Sequence, residues 1–384
     1  MANAKQSLKI GLVLDDSLDK PDGVQQYVLS IGEWLRRQGH DVHYLVGATK
    51  RHDLPGIHSL SRNVSVRFNR NRMSVPLPTS RRRLQAFLNA EKFDVLHVQL
   101  PYSPYLGHRL IQAADQSTAV IGTFHILAHG RVVHAATKVL AGWTRRSLRR
   151  FDTIVSVSSA AALFAKVTFG ITTDVLSNVI DYDRFHAAKP LPAYDDATPT
   201  ILFLGRLVPR KGCQLLLAAV TELMQRAEPP HFRVLVCGKG PLGGKLQQFV
   251  DRQGLREVVT FVGFVSEADK PRYYASADIS VFPSSGGESF GIVLLEALAS
   301  GHAAVLAGDN PGYRSVMAPK SELLFDPKDA SALADKLALY LDDRVLRHTA
   351  AAWGMTYSLG FDTRTVGEQL VEIYQHALHK RRNP

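Results

Sequence analysis

The chain has 384 residues, 45% of them apolar and 21% charged, with 28 Gly and 19 Pro; this fits two globular domains and excludes a disordered or collagen-like chain. No apolar run reaches the ~18–20 residues of a membrane-spanning helix, and two cysteines, Cys213 and Cys237, are too few for a disulfide framework or a cysteine-based zinc site. The formal net charge of +11 lies wholly in the first half: residues 1–190 hold 25 Lys/Arg against 14 Asp/Glu, and residues 191–384 hold 21 of each.

In chain order, Leu8–Leu14 reads as a strand, Val24–Arg37 as a helix and Asp41–Val46 as a strand. Arg81–Asn89 reads as a helix, Asp94–Val98 and Ala119–Phe124 as strands, Val132–Arg149 as a helix and Thr153–Val157 as a strand. Alternating strands and helices imply a parallel sheet covered on both faces. His186–Pro199, with three prolines and no periodicity, reads as a linker. The pattern then restarts. Thr200–Leu204, Phe232–Cys237, Val258–Val262, Ile279–Pro283 and Ala303–Ala307 read as strands. Gln214–Arg226, Lys245–Arg252, Lys270–Ala275 and Ile292–Ala299 read as helices between them. The expectation is two doubly wound α/β domains, residues 1–185 and 200–362 joined by 186–199, with the late helix Thr363–Arg382 crossing back to the first. Ligands are expected where strand ends of the two domains face each other.

Three strand-to-helix junctions carry candidate chemistry. Gly23 stands where the first helix begins, and free N–H groups at a helix start bind phosphate; an ordinary turn is the alternative. After Ile201–Leu204, the loop Gly205-Arg206-Leu207-Val208-Pro209-Arg210-Lys211-Gly212 offers three cations and two glycines. Arg206 can fork two phosphate oxygens and Lys211 adds a compact charge. The spacing is not that of a Walker loop. After Ile279–Pro283 comes Ser284-Ser285-Gly286-Gly287-Glu288-Ser289-Phe290-Gly291, leading into a helix that carries Glu296. With a helix start near Ser289, Glu288 sits in the loop and Glu296 about two turns along. Glu288 then suits sugar hydroxyls, or, more plainly, caps the helix dipole.

The string Gly286–Glu296, G-G-E-S-F-G-I-V-L-L-E, resembles the E-x7-E motif of retaining family 4 glycosyltransferases, which have the GT-B architecture of two facing Rossmann-like domains. G-R-L-V-P-R-K-G resembles their diphosphate loop, P-D-G-V-Q their first-domain glycine loop, and F-D-V-L-H-V-Q and G-T-F-H are similarly placed. Within the family, the chain is most similar to phosphatidylinositol mannosyltransferases. The resemblance implies that Arg206 and Lys211 hold a donor diphosphate, with Gly23 in backbone contact. It implies that Glu288 binds the transferred sugar beside the main chain of Phe290 and Gly291, that Glu296 meets the ribose and that His125 flanks the sugar. Gly263–Lys270 resembles the base-binding turn, which implicates Val265, Glu267 and Lys270. Asp22 stands where these relatives have a second glycine, the diphosphate loop is one residue shorter with Val208 near an expected acid, and Asn178-Val179-Ile180-Asp181 replaces Asn-Gly-Val-Asp.

The expected activity is retaining transfer of mannose from GDP-mannose to a lipid such as phosphatidylinositol, with no cofactor required and no divalent metal implied. Asp181-Tyr182-Asp183 reads as a loop-shaping element. His125, His129 and His134 lack the glutamate of a zinc-protease motif. Tyr27, Trp34 and Trp143 read as packing residues. Arg81, Arg82 and Arg83 open an amphipathic helix with Leu84, Phe87 and Leu88 on one side; with Arg70 and Arg72 they form the expected acceptor and membrane surface. Arg145, Arg146, Arg149 and Arg150, beside Trp143 and Leu148, form a second expected contact. Anionic lipid attracts such residues at ~1 kcal/mol each. The expected location is cytoplasmic, peripheral on the inner membrane face, with no nucleic acid and no obligate protein partner. The other readings are a UDP-sugar-dependent glucosyl- or N-acetylglucosaminyltransferase acting on another glycolipid or a soluble acceptor, and a basic nucleic-acid-binding protein.

Overall fold

The computed structural model describes residues 7–19, 23–68, 71–125, 140, 142 and 144–383, with 65–68 and 71–75 described as backbone. Contacts divide the chain into two units: Met1–Val179 with Thr363–Pro384, and Ile180–Asp362. The division falls at Val179 rather than at the expected 185. The expected linker 186–199 packs on the second unit, where the Leu191 N–H donates to the Ser276 hydroxyl at 2.8 Å and Arg233 pairs with Asp196.

The first unit contains β1 (Lys9–Leu14), β2 (Asp41–Val46), β3 (Ile57–Ser59), an antiparallel hairpin of β4 (Asn63–Phe68) and β5 (Asn71–Pro76), then β6 (Val95–Gln99), β7 (Ala119–Phe124), β8 (Thr153–Ser156) and β9 (Asp174–Val175). Its parallel sheet runs β3-β2-β1-β6-β7-β8-β9. Strand alternation explains the two cores. Ile10, Leu12 and Leu14 face one cluster with Tyr27, Ile31 and Trp34 of helix Gly23–Arg37. Val13 faces the other, with Leu84 and Leu88 of helix Arg81–Glu91 and Leu110 of helix Leu106–Ala113. Sheets covered on both faces read as continuous apolar runs, which is why every residue of β7 is buried.

Helix Thr363–Arg382 returns to this unit, as the sequence predicts, and its Val366, Leu370, Val371 and Tyr374 complete the first cluster. The helices meet so closely that a Cβ on Gly367 would lie 2.5 Å from the Trp34 ring. A buried polar thread reinforces the contact: His97 bridges the Tyr374 hydroxyl and Thr123 Oγ1, each at 2.7 Å. Burial pushes the His97 imidazole down to about 3, so it is neutral at ordinary pH. At the far end of the helix, Arg381 pairs with Asp152 at 2.6 Å.

The second unit contains β10 (Thr200–Leu204), β11 (Arg233–Cys237), β12 (Val259–Gly263), β13 (Ile279–Phe282), β14 (Ala304–Gly308) and β15 (Leu324–Phe325), all parallel, in the order β12-β11-β10-β13-β14-β15. In each unit the order reverses beside the first strand, between β1 and β6 and between β10 and β13. Those are the positions where open α/β sheets bind ligands. Strand limits match the sequence reading within about a residue. Helices Leu106–Ala113, Ser159–Phe169, Pro311–Met317, Ala330–Asp342 and Arg344–Ser358 and the β4–β5 hairpin escaped it. Most of the expected helix Val132–Arg149 lies outside the described residues; residues 144–148 are helical.

Candidate active site

In the second unit the candidate site grows from two loops at the β10/β13 reversal. Pro209–Lys211 forms a single tight turn ended by Gly212 in a left-handed conformation (φ +75°). A Cβ there would lie 1.9 Å from the Pro283 carbonyl oxygen, so only glycine lets the loop after β10 lie against the loop after β13. The Arg210 carbonyl then accepts hydrogen bonds from the Ser285 N–H and the Ser284 hydroxyl, both at 3.0 Å.

This stitching gathers charge. Glu288 Oε1 receives Arg210 Nη1 at 2.6 Å, Lys211 Nζ at 2.9 Å and the Ser284 hydroxyl at 3.0 Å. The Glu288 side chain is only 12% exposed. Burial works to raise its carboxyl, and Lys211, Arg210 and Ser284 more than reverse that, holding it below the usual carboxylate range. Of the residues expected on these loops, Lys211 and Glu288 are therefore in direct contact. Arg206 lies exposed on the same loop. The guanidinium on Glu288 is that of Arg210, a loop cation to which the sequence alone assigns no role.

The helix after the second loop starts at Ile292, not near Ser289, because Gly291 has φ +118° and cannot continue a helix toward Glu288. Glu296 therefore lies just past one helical turn. The Phe290 side chain is buried and packs on Phe361, with ring centroids 6.0 Å apart, leaving its main chain as the group available on that loop.

Glu296 forms a second charged centre. Its Oε1 lies 2.5 Å from Lys270 Nζ and its Oε2 accepts the Tyr274 hydroxyl at 3.1 Å. Lys270 also reaches Glu267 at 2.8 Å. Burial opposes the charge on Lys270, but Glu296 and Glu267 outweigh it and raise the ammonium above its ordinary value. Three expected residues, Glu267, Lys270 and Glu296, are thus one connected group. Val265 lies half-buried on the turn that carries Glu267, and the Ser266 hydroxyl closes this turn on Asp269 at 2.6 Å. Tyr274 had no signal in the sequence beyond its place on a short helix.

In the first unit His125 follows β7 and is 4% exposed. Its Nε2 meets Gln99 Oε1 at 2.6 Å, and its ring packs edge-on against Tyr27 at 4.9 Å. Burial, aided by His97, lowers its imidazole to about 3. It is a neutral donor held by a glutamine, not a charged group. Gly23 begins its helix exposed, while Pro21 and Asp22 of the expected loop lie outside the described residues. So do His129, His134, Trp143 and Arg70; Arg72 is described only as backbone of β5. Tyr27 and Trp34 are buried packing residues. Asp181 caps helix Tyr182–His186 by accepting the Arg184 N–H at 3.3 Å.

Arg81, Arg82 and Arg83 are exposed, but Leu84, Leu88 and Phe87 pack into the unit's own core, so that apolar side does not face outward. Arg145, Arg146 and Arg149 are exposed, whereas Arg150 holds the Asp115 and Thr118 carbonyls at 2.6 and 2.9 Å. Among the described residues, no helix is long and apolar enough to cross a membrane, and no group of three or more His, Cys, Asp or Glu side chains is placed to hold a metal ion.

Two family models match the chain: Glycosyltransferase Family 4 over residues 21–184 and Glycosyl transferases group 1 over 188–354. A phosphatidyl-myo-inositol mannosyltransferase of Mycobacterium tuberculosis is 32% identical over 96% of this chain and 97% of its own length. A GDP-mannose-dependent monoacylated alpha-(1-6)-phosphatidylinositol monomannoside mannosyltransferase of Corynebacterium glutamicum is 29% identical over 68% of this chain and 74% of its own. In fold, the chain is similar to Anabaena HepE, solved with UDP and glucose (TM-score 0.73, 20% identity, covering 96% of this chain and 100% of that one). With two parallel α/β units, strand-end loops that gather Arg210, Lys211 and Glu288, and this similarity along nearly its whole length, the chain belongs to the family 4 glycosyltransferases of GT-B fold.

Proposed function

We propose that this glycosyltransferase moves mannose from GDP-mannose to a phosphatidylinositol-type lipid with retention of anomeric configuration. The observation that carries the reading is the convergence of Arg210 and Lys211 on the Glu288 carboxylate at the β10/β13 reversal, which puts two cations beside an acid suited to sugar hydroxyls. The names of the mannosyltransferase relatives support mannose and an inositol lipid.

In the proposed reaction the bond between the sugar's anomeric carbon and the diphosphate oxygen breaks, and negative charge grows on the leaving group. Arg206, Arg210 and Lys211 supply countercharge; one preorganised donor of this kind is worth ~10²–10³ in rate. Ionised Glu288 accepts hydrogen bonds from sugar hydroxyls, and Glu296 accepts them from the ribose. The family resemblance gives neutral His125 a hydrogen-bonding role toward the sugar and the Gly23 main chain a role toward the diphosphate. The acceptor hydroxyl attacks the face the diphosphate leaves, and the departing phosphate oxygen takes its proton. No side chain has to act as nucleophile. The exposed Arg81, Arg82, Arg83, Arg145, Arg146 and Arg149 favour an anionic bilayer as the surface on which the lipid is met.

Lys211→Ala is expected to lower kcat by ~10²–10³ with the fold intact by circular dichroism; near wild-type turnover overturns the assignment. Arg210→Gln removes one of the cations that keep the Glu288 carboxyl low, so the acid limb of the rate profile should move to higher pH. A thermal-shift series with GDP, UDP and ADP sugars, followed by mass spectrometry of lipid products, should select GDP-mannose and a mannosylated inositol lipid; selection of a UDP sugar transfers the reading to a glucosyl or N-acetylglucosaminyl donor. In vesicle sedimentation at low salt, binding should require anionic lipid and weaken on replacing Arg81–Arg83 with glutamine. Equal binding to neutral vesicles removes the membrane surface from the proposal.

A further inference from the structure

The chain leaves the first unit at Val179 and re-enters it after Asp362, and both passages lie within the second unit's own hydrogen bonding. The Ile180 N–H donates to the Phe361 carbonyl at 3.0 Å, Ile180 and Asp362 form a parallel bridge, and the Tyr182 N–H donates to Asp362 Oδ2 at 3.2 Å. From the first passage, the Arg184 guanidinium donates to the main-chain carbonyl of Glu267. Phe185, 3% exposed, packs its ring 5.9 Å from that of Tyr274 and lies 5.9 Å under the Lys270 ammonium. From the second, Phe361 packs on Phe290, two residues beyond Glu288.

We infer that Arg184 is a positioning residue for the nucleoside end of the donor site: it fixes the turn that carries Val265 and Glu267, and with Phe185 it seats Lys270 so that Lys270 holds Glu296. The inference rests on the donor-site reading above and deepens it. Arg184 touches the turn through a main-chain carbonyl, so its effect is on backbone placement and not on charge presented to the ligand. A carbonyl held by a charged donor keeps a turn in one geometry, and such a bond is worth more than a neutral one. Among the described residues, the Arg184 guanidinium reaches the Glu267 carbonyl and no residue of the diphosphate loop Gly205–Gly212, so its removal acts on the nucleoside end.

The test compares the intact wild-type chain with Arg184→Ala and Arg184→Lys by calorimetric titration of GDP, UDP and inorganic pyrophosphate. The expected result is a loss of nucleoside diphosphate affinity of roughly tenfold or more in Arg184→Ala, the worth of one charged hydrogen bond. Pyrophosphate affinity should stay unchanged, and Arg184→Lys should recover part of the loss. An equal loss for nucleotide and pyrophosphate shows a general structural role and overturns the inference, as does nucleotide affinity unchanged in Arg184→Ala. Should Arg184→Ala fail to fold, Arg184→Lys decides alone: it must weaken the nucleotide selectively. A wild-type chain that binds neither GDP nor UDP overturns the donor-site reading itself, an outcome distinct from the others.

Discussion

The second unit's site depends on one carboxylate that is mostly withdrawn from water and remains ionised. Glu288 can do so because two cations and a hydroxyl reach the same oxygen, and they can reach it because the loops after β10 and β13 are sewn together through the Arg210 main chain. Without a compensating partner, burying a charge is among the costliest operations in a protein interior. Loop geometry and electrostatics are therefore a single constraint: the bare carbon of Gly212 permits the loop contact, the contact gathers the cations, and the cations keep the acid charged.

The Lys270 centre repeats the logic with the signs exchanged. Here one ammonium is shared by Glu267 and Glu296, and a phenol from Tyr274 satisfies the oxygen that the ammonium does not. The unit thus holds two differently charged centres, one with two cations on one carboxylate and the other with two carboxylates on one buried ammonium. A nucleoside diphosphate sugar carries its negative charge in the middle, flanked by the hydroxyls of the sugar on one side and of the ribose on the other, and such a ligand suits that division.

Much of this was legible in the residues. Parallel strands buried on both faces read as short apolar runs, so β1, β2, β7 and β10 could be found from periodicity, and the loops that follow them carried glycines and cations in plain view. What stayed hidden depends on partners far along the chain. Arg210 is separated from Glu288 by 78 positions and Arg184 from Glu267 by 83, and no local spacing announces either. Helix Leu106–Ala113 has no local side-chain cap, and its Gly107 N–H is bonded by Asp15, 92 positions earlier. The helix opened by Arg81–Arg83 shows a different limit. Its amphipathic pattern was readable, but the pattern does not say whether a bilayer or the protein's own core occupies the apolar side.

The returning helix has a consequence for biosynthesis. Tyr374, Leu370 and Val366 complete a core whose other members, Tyr27, Ile31 and Trp34, emerge from the ribosome long before them. Domains tend to fold as units in the order in which they are made, yet this one waits until the whole of its neighbour has been translated. The nascent first unit must carry an uncovered aromatic surface through that interval, so the later-made unit is the one able to reach its final packing first.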